Sequence, residues 1–425
     1  MNRWADEDGN GVIMRVGLQF ALSDACVDAT QPTSQRQLAV SIAAIADTVR
    51  EIAPLNLSLI LDHSGSMSGR AIATVQEAAQ RIVDGLSLGD RLSIIGFNHK
   101  AKVLLPSQEL ANPASVKLQI HQIKASGGTA IDEGMRLGIE ELAKAKEGHI
   151  SQAFLLTDGE NEHGDDDRCL KLAQLATDYN LTLNTLGFGD AWNQNLLEQI
   201  ADTGGGSMTY IQQPEEAIAA FTRLFHRIQS VGLTNAHLVF SLANGVRLAA
   251  TKPIAQVAPD TIELAVERDG KQFSVRLGDL MTDAARVVLL NLYLEQMPVG
   301  QHAIASLHIR YDDPATRSDR QVSDPVTVAV DYVTDFHPLP DPQVQQYILA
   351  LAKYRQTQIA ETRIQQGDLG GAVTMLQTAA QTALQMGDDE AATVLQNTAT
   401  VLQSGEALTE RDRKRTRIVS KTTLQ

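Results

Sequence analysis

Asp62, Ser64 and Ser66 occupy alternate positions in a DHSGS segment that directly follows the apolar run Leu55–Leu61. An acid and two hydroxyls, spaced by single residues at the carboxyl end of a strand, can turn their side chains toward one point. Oxygen ligands of this kind suit a hard divalent cation such as Mg²⁺. The Asp-x-Ser-x-Ser pattern alone is common by chance, so its interpretation depends on what accompanies it.

Two further oxygen-bearing residues accompany it in the same part of the chain. Thr129 closes an SGGT segment, and Asp158 ends a second apolar run, AFLLTD, that begins at Ala153. Each stands at a junction between a predicted strand and a predicted helix. The sequence therefore predicts a metal site made of Asp62, Ser64, Ser66, Thr129 and Asp158.

In order and spacing these residues resemble the metal-ion-dependent adhesion site (MIDAS) of the von Willebrand factor A (vWA) family, and the resemblance covers about residues 54–228. It implies that Ser64, Ser66 and Thr129 coordinate the metal directly. It also implies that Asp62 and Asp158 act directly or through water, while one coordination position stays open for a partner's carboxylate. The implied function is protein binding rather than the conversion of a small molecule.

The chemistry of the cation agrees with this implication. Mg²⁺ dehydrates reluctantly, so a site with few anionic ligands keeps waters and residual positive charge. An incoming Glu or Asp side chain can then replace a water. We expect Mg²⁺, with Mn²⁺ or Ca²⁺ as alternatives, and a protein partner that presents Glu or Asp. We expect no catalytic residue, no organic cofactor and no enzymatic activity.

Two alternative functions remain open from the sequence. The first is a metal-assisted phosphoester hydrolase, for which a general base and often a second metal about 4 Å away are expected. His63 lies beside Ser64, but adjacent side chains on a turn do not present a base to its nucleophile, and no Gly-x-Ser-x-Gly elbow surrounds the serines. We interpret His63, Met67 and Asn98 as residues at the rim of the site. The second alternative is a regulatory subunit coupled to a kinase or ATPase pathway.

The metal residues lie in a region where apolar runs alternate with helical patterns, which is typical of a parallel sheet covered on both faces. The predicted strands are Leu55–Leu61, Arg91–Phe97, Ala153–Thr157, Leu181–Phe188 and Ser207–Ile211. The predicted helices are Arg70–Leu86, Pro113–Ile123, Ala130–Ala145, Arg168–Tyr179, Asn193–Asp202 and Pro214–Ser230. Ligands of doubly wound sheets bind at the carboxyl ends of the strands, where Asp62 and Asp158 fall.

Residues 233–334 show short alternating runs separated by turn residues, which predicts an antiparallel β-sandwich. The runs Val12–Leu22 and Gln37–Ile45 alternate in the same way and precede the metal region. We expect them to pair with the later strands. The fold class predicted is therefore α/β, with a doubly wound, mostly parallel, Rossmann-like sheet inserted in or followed by an antiparallel β-sandwich, and an α-helical segment at the C-terminal end.

The C-terminal part of the sequence reads as helices: Asp341–Gln366, Leu369–Met386 and Glu390–Gln403. We expect a helical hairpin docked on the sandwich or on another subunit, with a peptide-binding groove as the alternative. The basic stretch after residue 410 is predicted to be disordered. Its hydroxyls make a phosphothreonine-binding domain a second possible partner: Thr416, Ser420, Thr422 and Thr423.

These patterns divide the chain into a strand segment at 1–50, the vWA domain at 51–230, the sandwich at 231–335, a helical hairpin or bundle at 339–405 and a basic tail at 406–425. A net charge of −15 and 4% aromatic residues argue against nucleic-acid binding. Cys26 and Cys169 do not suggest a disulfide framework, and no run approaches the roughly 20 apolar residues of a membrane span. We predict a cytoplasmic scaffold or regulatory protein.

Overall fold

The computed structural model describes residues 14–46 and 53–422. The chain begins with β1 (Met14–Leu22), β2 (Cys26–Asp28) and β3 (Thr33–Ala46). Strands and helices then alternate: β4 (Leu55–Asp62), α1 (Arg70–Gly85), β5 (Arg91–Phe97), β6 (Ala101–Glu109), α2 (Pro113–His121), α3 (Ile131–Ala143), β7 (Ile150–Thr157), α4 (Asp166–Asp178), β8 (Thr182–Phe188), α5 (Gln194–Thr203), β9 (Gly205–Ile211) and α6 (Pro214–Gln229).

A long run of strands follows: β10 (Val231–Leu242), β11 (Val246–Leu248), β12 (Ile254–Ala258), β13 (Ile262–Glu263), β14 (Glu267–Asp269), β15 (Gln272–Met281), β16 (Arg286–Glu295), β17 (Gly300–Asp313), β18 (Ser318–Val322) and β19 (Val326–Val333). Helices complete the described part of the chain: α7 (Pro342–Gln365), α8 (Leu369–Met386), α9 (Asp389–Gln403) and α10 (Glu410–Lys421).

The segment from β4 to α6 builds one sheet in the order β6-β5-β4-β7-β8-β9. All its neighbouring strands run parallel except β6, which is antiparallel to β5. Every residue of β4 and β7 is buried, because helices cover both faces, and this burial explains their continuous apolar runs. The doubly wound sheet predicted from the sequence is confirmed.

Strand β6 was not predicted. It lies at the edge of the sheet, where only Leu105 is buried, and its sequence mixes polar and apolar residues without a clear period. An edge strand has fewer buried positions than a central one, so the hydrophobic pattern that identifies β4 and β7 is weak in β6.

The remaining strands form two antiparallel-rich sheets that enclose a shared core. One is ordered β1-β3-β16-β12-β13 and the other β14-β15-β10-β17-β19-β2. Strand β3 pairs with β16 over ten positions, from Arg286 opposite Ile42 to Glu295 opposite Thr33. Strands from before and after the parallel-sheet unit therefore share both sheets, and the sandwich in the predicted fold class is confirmed.

The C-terminal helices dock on this sandwich. Val344 and Leu351 of α7 pack with Val257 of β12 and Leu289 of β16. Helix α8 packs on both α7 and α9 through mostly alanine side chains, which allow close approach: Ala360, Ala372, Ala379, Ala380, Ala383, Ala391 and Ala399. The predicted helices and their docking on the sandwich agree with the structure.

The prediction of a disordered tail at 406–425 is wrong for the residues that the structure describes. Thr409 caps the start of helix α10. Its side chain accepts a hydrogen bond from the backbone N–H of Asp412, and the Asp412 carboxylate accepts one from the backbone N–H of Thr409. Thr416 and Ser420 are buried, and Thr423 lies outside the described residues.

The physical reason for this order is that the basic residues of α10 have partners in other elements. Lys414 Nζ donates hydrogen bonds to the backbone oxygens of Asp190 and Trp192, at 2.6 and 2.8 Å. Arg417 Nε lies 3.0 Å from a carboxylate oxygen of Glu198. The prediction counted the charges of this stretch as solvated, because a sequence does not show which acids and carbonyls will face them.

Cys26 and Cys169 are free thiols. Across residues 14–46 and 53–422, no helix combines the length and apolar character that a membrane crossing requires. Residues 1–13 and 47–50 of the predicted N-terminal segment, and residues 51–52 of the predicted vWA domain, lie outside the described residues.

Candidate functional site

Asp62 is the last residue of the central strand β4 and is fully buried. Its Oδ1 accepts a hydrogen bond from the backbone N–H of Ser64 at 2.7 Å, and its Oδ2 accepts one from Thr157 Oγ1 at 2.6 Å. Thr157 ends the neighbouring strand β7. The carboxylate is therefore held in one orientation by groups from two adjacent strand ends.

Ser64, Ser66 and Asp158 continue this arrangement as a chain of hydrogen bonds. The hydroxyl oxygens of Ser64 and Ser66 are 3.0 Å apart, and Ser66 Oγ donates to Asp158 Oδ1 at 2.6 Å. Ser66 lies in the 3₁₀ turn Gly65–Met67 that follows β4, whereas Asp158 directly follows β7. The carboxyl ends of two parallel strands thus bring together residues that are 92 positions apart in sequence.

Thr129 reaches the same place from the loop before α3. Backbone hydrogen bonds tie this loop to the first one, from Gly65 N to Gly127 O and from Ser126 N to His63 O, both at 2.8 Å. A methyl group placed on Gly159 would lie 3.4 Å from Thr129 Oγ1 and 3.9 Å from Ser66 Oγ. The structure therefore brings all five sequence-predicted residues to one edge of the sheet.

Burial dominates the electrostatics of the two carboxylates. It raises the pKa of Asp62, while hydrogen bonds from Thr157 and Ser64 act in the opposite direction. Burial also raises the pKa of Asp158 to about 6, opposed by the Ser66 hydrogen bond and increased by the nearby charge of Asp62. Within residues 14–46 and 53–422, no Lys, Arg or His side chain pairs with either carboxylate.

The donor set fits a hard cation that keeps part of its water shell. It offers three hydroxyl oxygens and two carboxylates, all oxygen, around one point. In the part of the chain that the structure describes, no three His, Cys, Asp or Glu side chains gather into a metal-binding group. A metal at this edge would therefore depend on the hydroxyls of Ser64, Ser66 and Thr129.

Comparisons with known proteins identify the family. A model described as von Willebrand factor type A domain matches residues 56–223, and one described as Sll0103-like, C-terminal alpha-helical domain matches residues 342–425. A Synechocystis protein named "Uncharacterized protein sll0103" is 57% identical over 412 residues, which cover 97% of this chain and 98% of that protein. The chain belongs to the von Willebrand factor type A family.

Other relatives of this vWA protein match over shorter stretches. Inter-alpha-trypsin inhibitor heavy chain H3 of Rattus norvegicus is 29% identical over 200 residues, which cover 44% of this chain and 22% of that protein. Among solved structures, a von Willebrand factor type A protein from Catenulispora acidiphila has a TM-score of 0.80 at 17% identity and covers 96% of this chain and 97% of that one. Such low identity shows a shared fold, including the sandwich and helices, and nothing more.

A second solved structure supports the same fold. The ArnB paralog VWA2 from Sulfolobus acidocaldarius has a TM-score of 0.57 at 16% identity and covers 96% of this chain and 98% of that one. The vWA domain, a module that commonly mediates protein interactions, is thus embedded here in a larger arrangement that other vWA proteins share.

Around the vWA edge, the structure reveals rim residues that the sequence did not indicate. The ring centroids of His99 and His163 lie 6.3 Å apart. A methyl group placed on Gly127 would lie 2.3 Å from the His99 ring, and one placed on Gly128 would lie 2.3 Å from the His163 ring. Both histidines are exposed. Neither follows a strand in a recognisable motif, so only the tertiary proximity of their loops identifies them.

The predicted rim residues divide into different roles. His63 is partly exposed, and its Nδ1 lies 3.1 Å from the backbone oxygen of Lys124. Met67 is fully buried in the core under α1, so its assignment to the rim is wrong. Asn98 Nδ2 donates to Ser126 O at 2.8 Å and thereby positions the loop that carries Thr129.

Asn161, which belongs to no recognised sequence motif, also positions a loop. Its side-chain oxygen accepts a hydrogen bond from the backbone N–H of Ile131, the first residue of α3, at 2.7 Å. The backbone N–H of His163 donates to Thr129 O at 2.9 Å. The loop after Asp158 therefore fixes the loop of Thr129, and a polar residue three positions after the strand acid is the signal that could have identified it.

Proposed function

We propose that this chain is a metal-dependent protein-binding module in which Mg²⁺, with Mn²⁺ or Ca²⁺ as alternatives, is held by Asp62, Ser64, Ser66, Thr129 and Asp158. The bound ion would supply an electrophilic position that accepts a Glu or Asp side chain of a protein partner. The chain would act as a cytoplasmic scaffold or regulatory protein and would carry out no catalysis.

The observation that carries this proposal is the hydrogen-bonded row of oxygens from Ser64 Oγ through Ser66 Oγ to Asp158 Oδ1, at 3.0 and 2.6 Å. Two buried carboxylates stand beside it without a basic partner among the described residues. Burying an anion without compensation is costly, so a cation at this point would relieve both groups.

The exposure of the residues favours capture of a group from outside. Asp62, Ser64, Thr129 and Asp158 are buried, whereas Ser66 is exposed. An incoming carboxylate would therefore approach from the Ser66 side, between loops whose exposed faces carry His99 and His163. Asp62 stays in place because Thr157 and the Ser64 backbone hold both of its oxygens.

The first test is metal binding by the purified chain, measured by isothermal titration with Mg²⁺ and Mn²⁺. Ser66→Ala and Asp158→Ala should lose binding. Ser68→Ala is the matched control, because this exposed hydroxyl is two positions from Ser66 and donates to Gly65 O at 2.7 Å rather than to the carboxylates. Equal metal affinity in wild type and Ser66→Ala would contradict the proposal.

The second test addresses the partner. Wild type and Asp62→Ala are used as baits in parallel, each with Mg²⁺ and with EDTA. A retained protein counts as the partner only if purified components bind with Mg²⁺ and if replacing one of its Glu or Asp residues removes the binding. Binding that is identical in all four conditions would show that the metal has no part in it.

The two alternatives from the sequence have their own discriminating measurements. Metal-dependent turnover of phosphoester substrates that is lost in Asp158→Ala would support a hydrolase. A regulatory role through a phosphothreonine-binding domain would require modification of an exposed hydroxyl. Of the two threonines near the end of α10 that the structure describes, Thr416 is buried and Thr422 is exposed. Thr422 is therefore the candidate for modification. Mass spectrometry of the native protein would test its phosphorylation.

A further inference from the structure

A cavity of about 750 Å³ lies between the vWA domain and the sandwich. The vWA side of its wall comes from the ends of α4 and α5 and from the start of β9 at Gly205. The sandwich side comes from β10, β15 and the segment between β13 and β14. Because β9 begins here, the cavity lies at the amino edge of the parallel sheet, opposite the edge that carries Asp62 and Asp158.

Arg276 of β15 lines this cavity without a direct partner, although the charges of Asp279 and Asp178 act on it from farther away. Within residues 14–46 and 53–422 its guanidinium forms no hydrogen bond and no ion pair. Arg286 lines the same cavity but is satisfied, because Nε donates to Asp279 O and Nη1 donates to Gln256 Oε1, both at 2.7 Å. A guanidinium stays charged and has five N–H donors, so an unpaired one beside a cavity is a binding group for an anion.

The space in front of Arg276 depends on a glycine. Gly205 has φ of +70°, and a methyl group placed on it would lie 2.7 Å from Arg276 Nη1. Only a residue without a side chain leaves the guanidinium its present position against the vWA domain. The two halves of the molecule are therefore closely matched at this point.

A second arginine lies near Arg276, on the far side of a histidine. Arg276 stands directly opposite His237 of β10, and His237 stands directly opposite Arg310 of β17. Burial lowers the pKa of His237, and the charges of Arg310 and Arg276 lower it further, against the hydrogen bond with the Asn235 backbone and the charge of Glu267. The two arginines, and not the imidazole, are therefore the source of positive charge here.

Three of the carboxylates along the cavity have partners of their own, and Asp178 acts on Arg276 only as a more distant charge. Asp202 pairs with Lys421 at 3.0 Å, and Glu263 pairs with Arg355 at 2.8 Å. Asp312 accepts from the amide of Asn235 at 2.9 Å. The other carboxylates that line the cavity are exposed to solvent: Asp178, Glu267 and Asp319.

We propose that this cavity is a binding site for a small polar molecule with an oxyanion, either a phosphate or a carboxylate, which pairs with the guanidinium of Arg276. Planar, bidentate pairing with such groups is the geometry that arginine provides. Neutral hydrogen-bonding side chains line the vWA side and suit a polar ligand body: Thr177, Asn180 and Thr203. The ligand bridges the vWA domain and the sandwich, and its binding does not depend on a metal at Asp62, Ser64, Ser66, Thr129 and Asp158.

The test uses the full chain in EDTA, freed of phosphate by dialysis. Thermal midpoints and isothermal titration are measured with inorganic phosphate and with malonate, against sodium chloride at matched ionic strength. The variants are Arg276→Gln, Arg276→Lys and, as a control, Arg223→Gln, because Arg223 is exposed on α6 and does not line the cavity. The two anions distinguish a phosphate ligand from a carboxylate ligand.

We expect saturable binding of at least one anion by wild type and Arg223→Gln, at least tenfold weaker binding by Arg276→Gln, and an intermediate affinity for Arg276→Lys. Without ligand, Arg276→Gln should melt at or above the wild-type temperature, because the substitution removes an unpaired charge. Absence of saturable binding by either anion, or equal binding in Arg276→Gln, overturns the proposal. A clear loss of stability in unliganded Arg276→Gln also overturns it, since the guanidinium would then have a structural role.

Discussion

Replacing Lys414 by methionine tests the contact between the C-terminal helix and the vWA domain. Lys414 is 2% exposed, and its Nζ donates hydrogen bonds to the backbone oxygens of Asp190 and Trp192 at 2.6 and 2.8 Å. Nζ also lies 4.2 Å from the centroid of the Trp192 ring. Methionine keeps the length of the side chain and removes the charge and its hydrogen bonds.

The expected loss can be estimated from these contacts. Hydrogen bonds from a charged group contribute about 1.5–3 kcal/mol each, and a partly buried cation–π contact about 0.5–2 kcal/mol. The cost of desolvating the ammonium group offsets part of this gain. We expect Lys414→Met to reduce the free energy of unfolding by about 3 kcal/mol. A chain of this length that unfolds in one transition would then melt about 3 °C lower.

The measurement compares thermal and urea unfolding of wild type, Lys414→Met and Arg415→Met. Arg415 is the matched control, because its side chain is 57% exposed and its contact with Glu390, at 3.8 Å, is a surface ion pair of about 0–1 kcal/mol. Lys414→Met should also be cut faster within α10 by a protease. If Lys414→Met unfolds within about 0.5 kcal/mol of Arg415→Met, the reasoning about α10 is refuted.

Three further predictions follow from single residues. The native pKa of Asp158, about 6, lies above the ordinary value of 3.8, so the metal-free protein gains stability as pH falls from 7 to 5. The gain across this window is about 1 kcal/mol, and urea unfolding in EDTA should show it in wild type but not in Asp158→Asn. Gly206→Ala should lower the free energy of unfolding by about 1–3 kcal/mol in a thermal melt, because the new methyl group would lie 2.1 Å from a backbone oxygen. Gly370→Ala is the control: nothing lies within 4 Å of its new methyl group, so it should be neutral or stabilising. Lys353→Met should reduce the free energy of unfolding in urea by about 3–5 kcal/mol, because the Asp388 carboxylate, which lies 2.7 Å from Lys353 Nζ, loses its buried partner. Adding Asp388→Asn should recover part of this loss.

The parts of the fold that were predictable are those in which local pattern and burial agree. Strands β4 and β7 are buried at every position, so their apolar runs identify them without knowledge of their neighbours. Helices α7, α8 and α9 end at Gly or begin with an Asp cap, and these signals placed their bounds closely. Short strands such as β2 and β18 bury few side chains and left no comparable pattern.

Helix α10 was missed for a different reason. Its mean composition is strongly polar, and its order comes from charges that are satisfied by distant residues, such as Arg417 with Glu198 and Lys421 with Asp202. These partners lie in α5, about 220 positions earlier in the chain. A sequence shows that a stretch is basic. Whether its basic side chains are solvated or buried depends on the acidic and carbonyl groups of the surface that faces them in the fold.

The candidate site shows the same division between local and tertiary information. The five proposed ligands were predictable because they lie, in a recognised order, at or just after a strand end or just before a helix, and parallel strands must meet at their carboxyl ends. The hydrogen bonds that hold them were not predictable. Thr157 orients Asp62, and Asn161 fixes the start of α3, yet both resemble ordinary loop or strand residues in the sequence.

Helix α10 connects the vWA domain to the rest of the molecule, in addition to the covalent links and the buried hydrogen bonds that Gln152 and Thr182 donate to Asp279 of the sandwich. Two connections are covalent, and at one of them α6 ends at Gln229 while β10 begins at Val231, so the helix leads directly into the sandwich. Lys414 donates a hydrogen bond to the loop between β8 and α5, and this loop lies at the same edge of the sheet as the proposed metal ligands. At the other end of α10, Lys421 O accepts a hydrogen bond from Thr261 N of the sandwich at 2.8 Å. A displacement of that loop must therefore break the contacts of Lys414 or move α10 with it, and a movement of α10 is transmitted to the sandwich because the same helix is bonded to both.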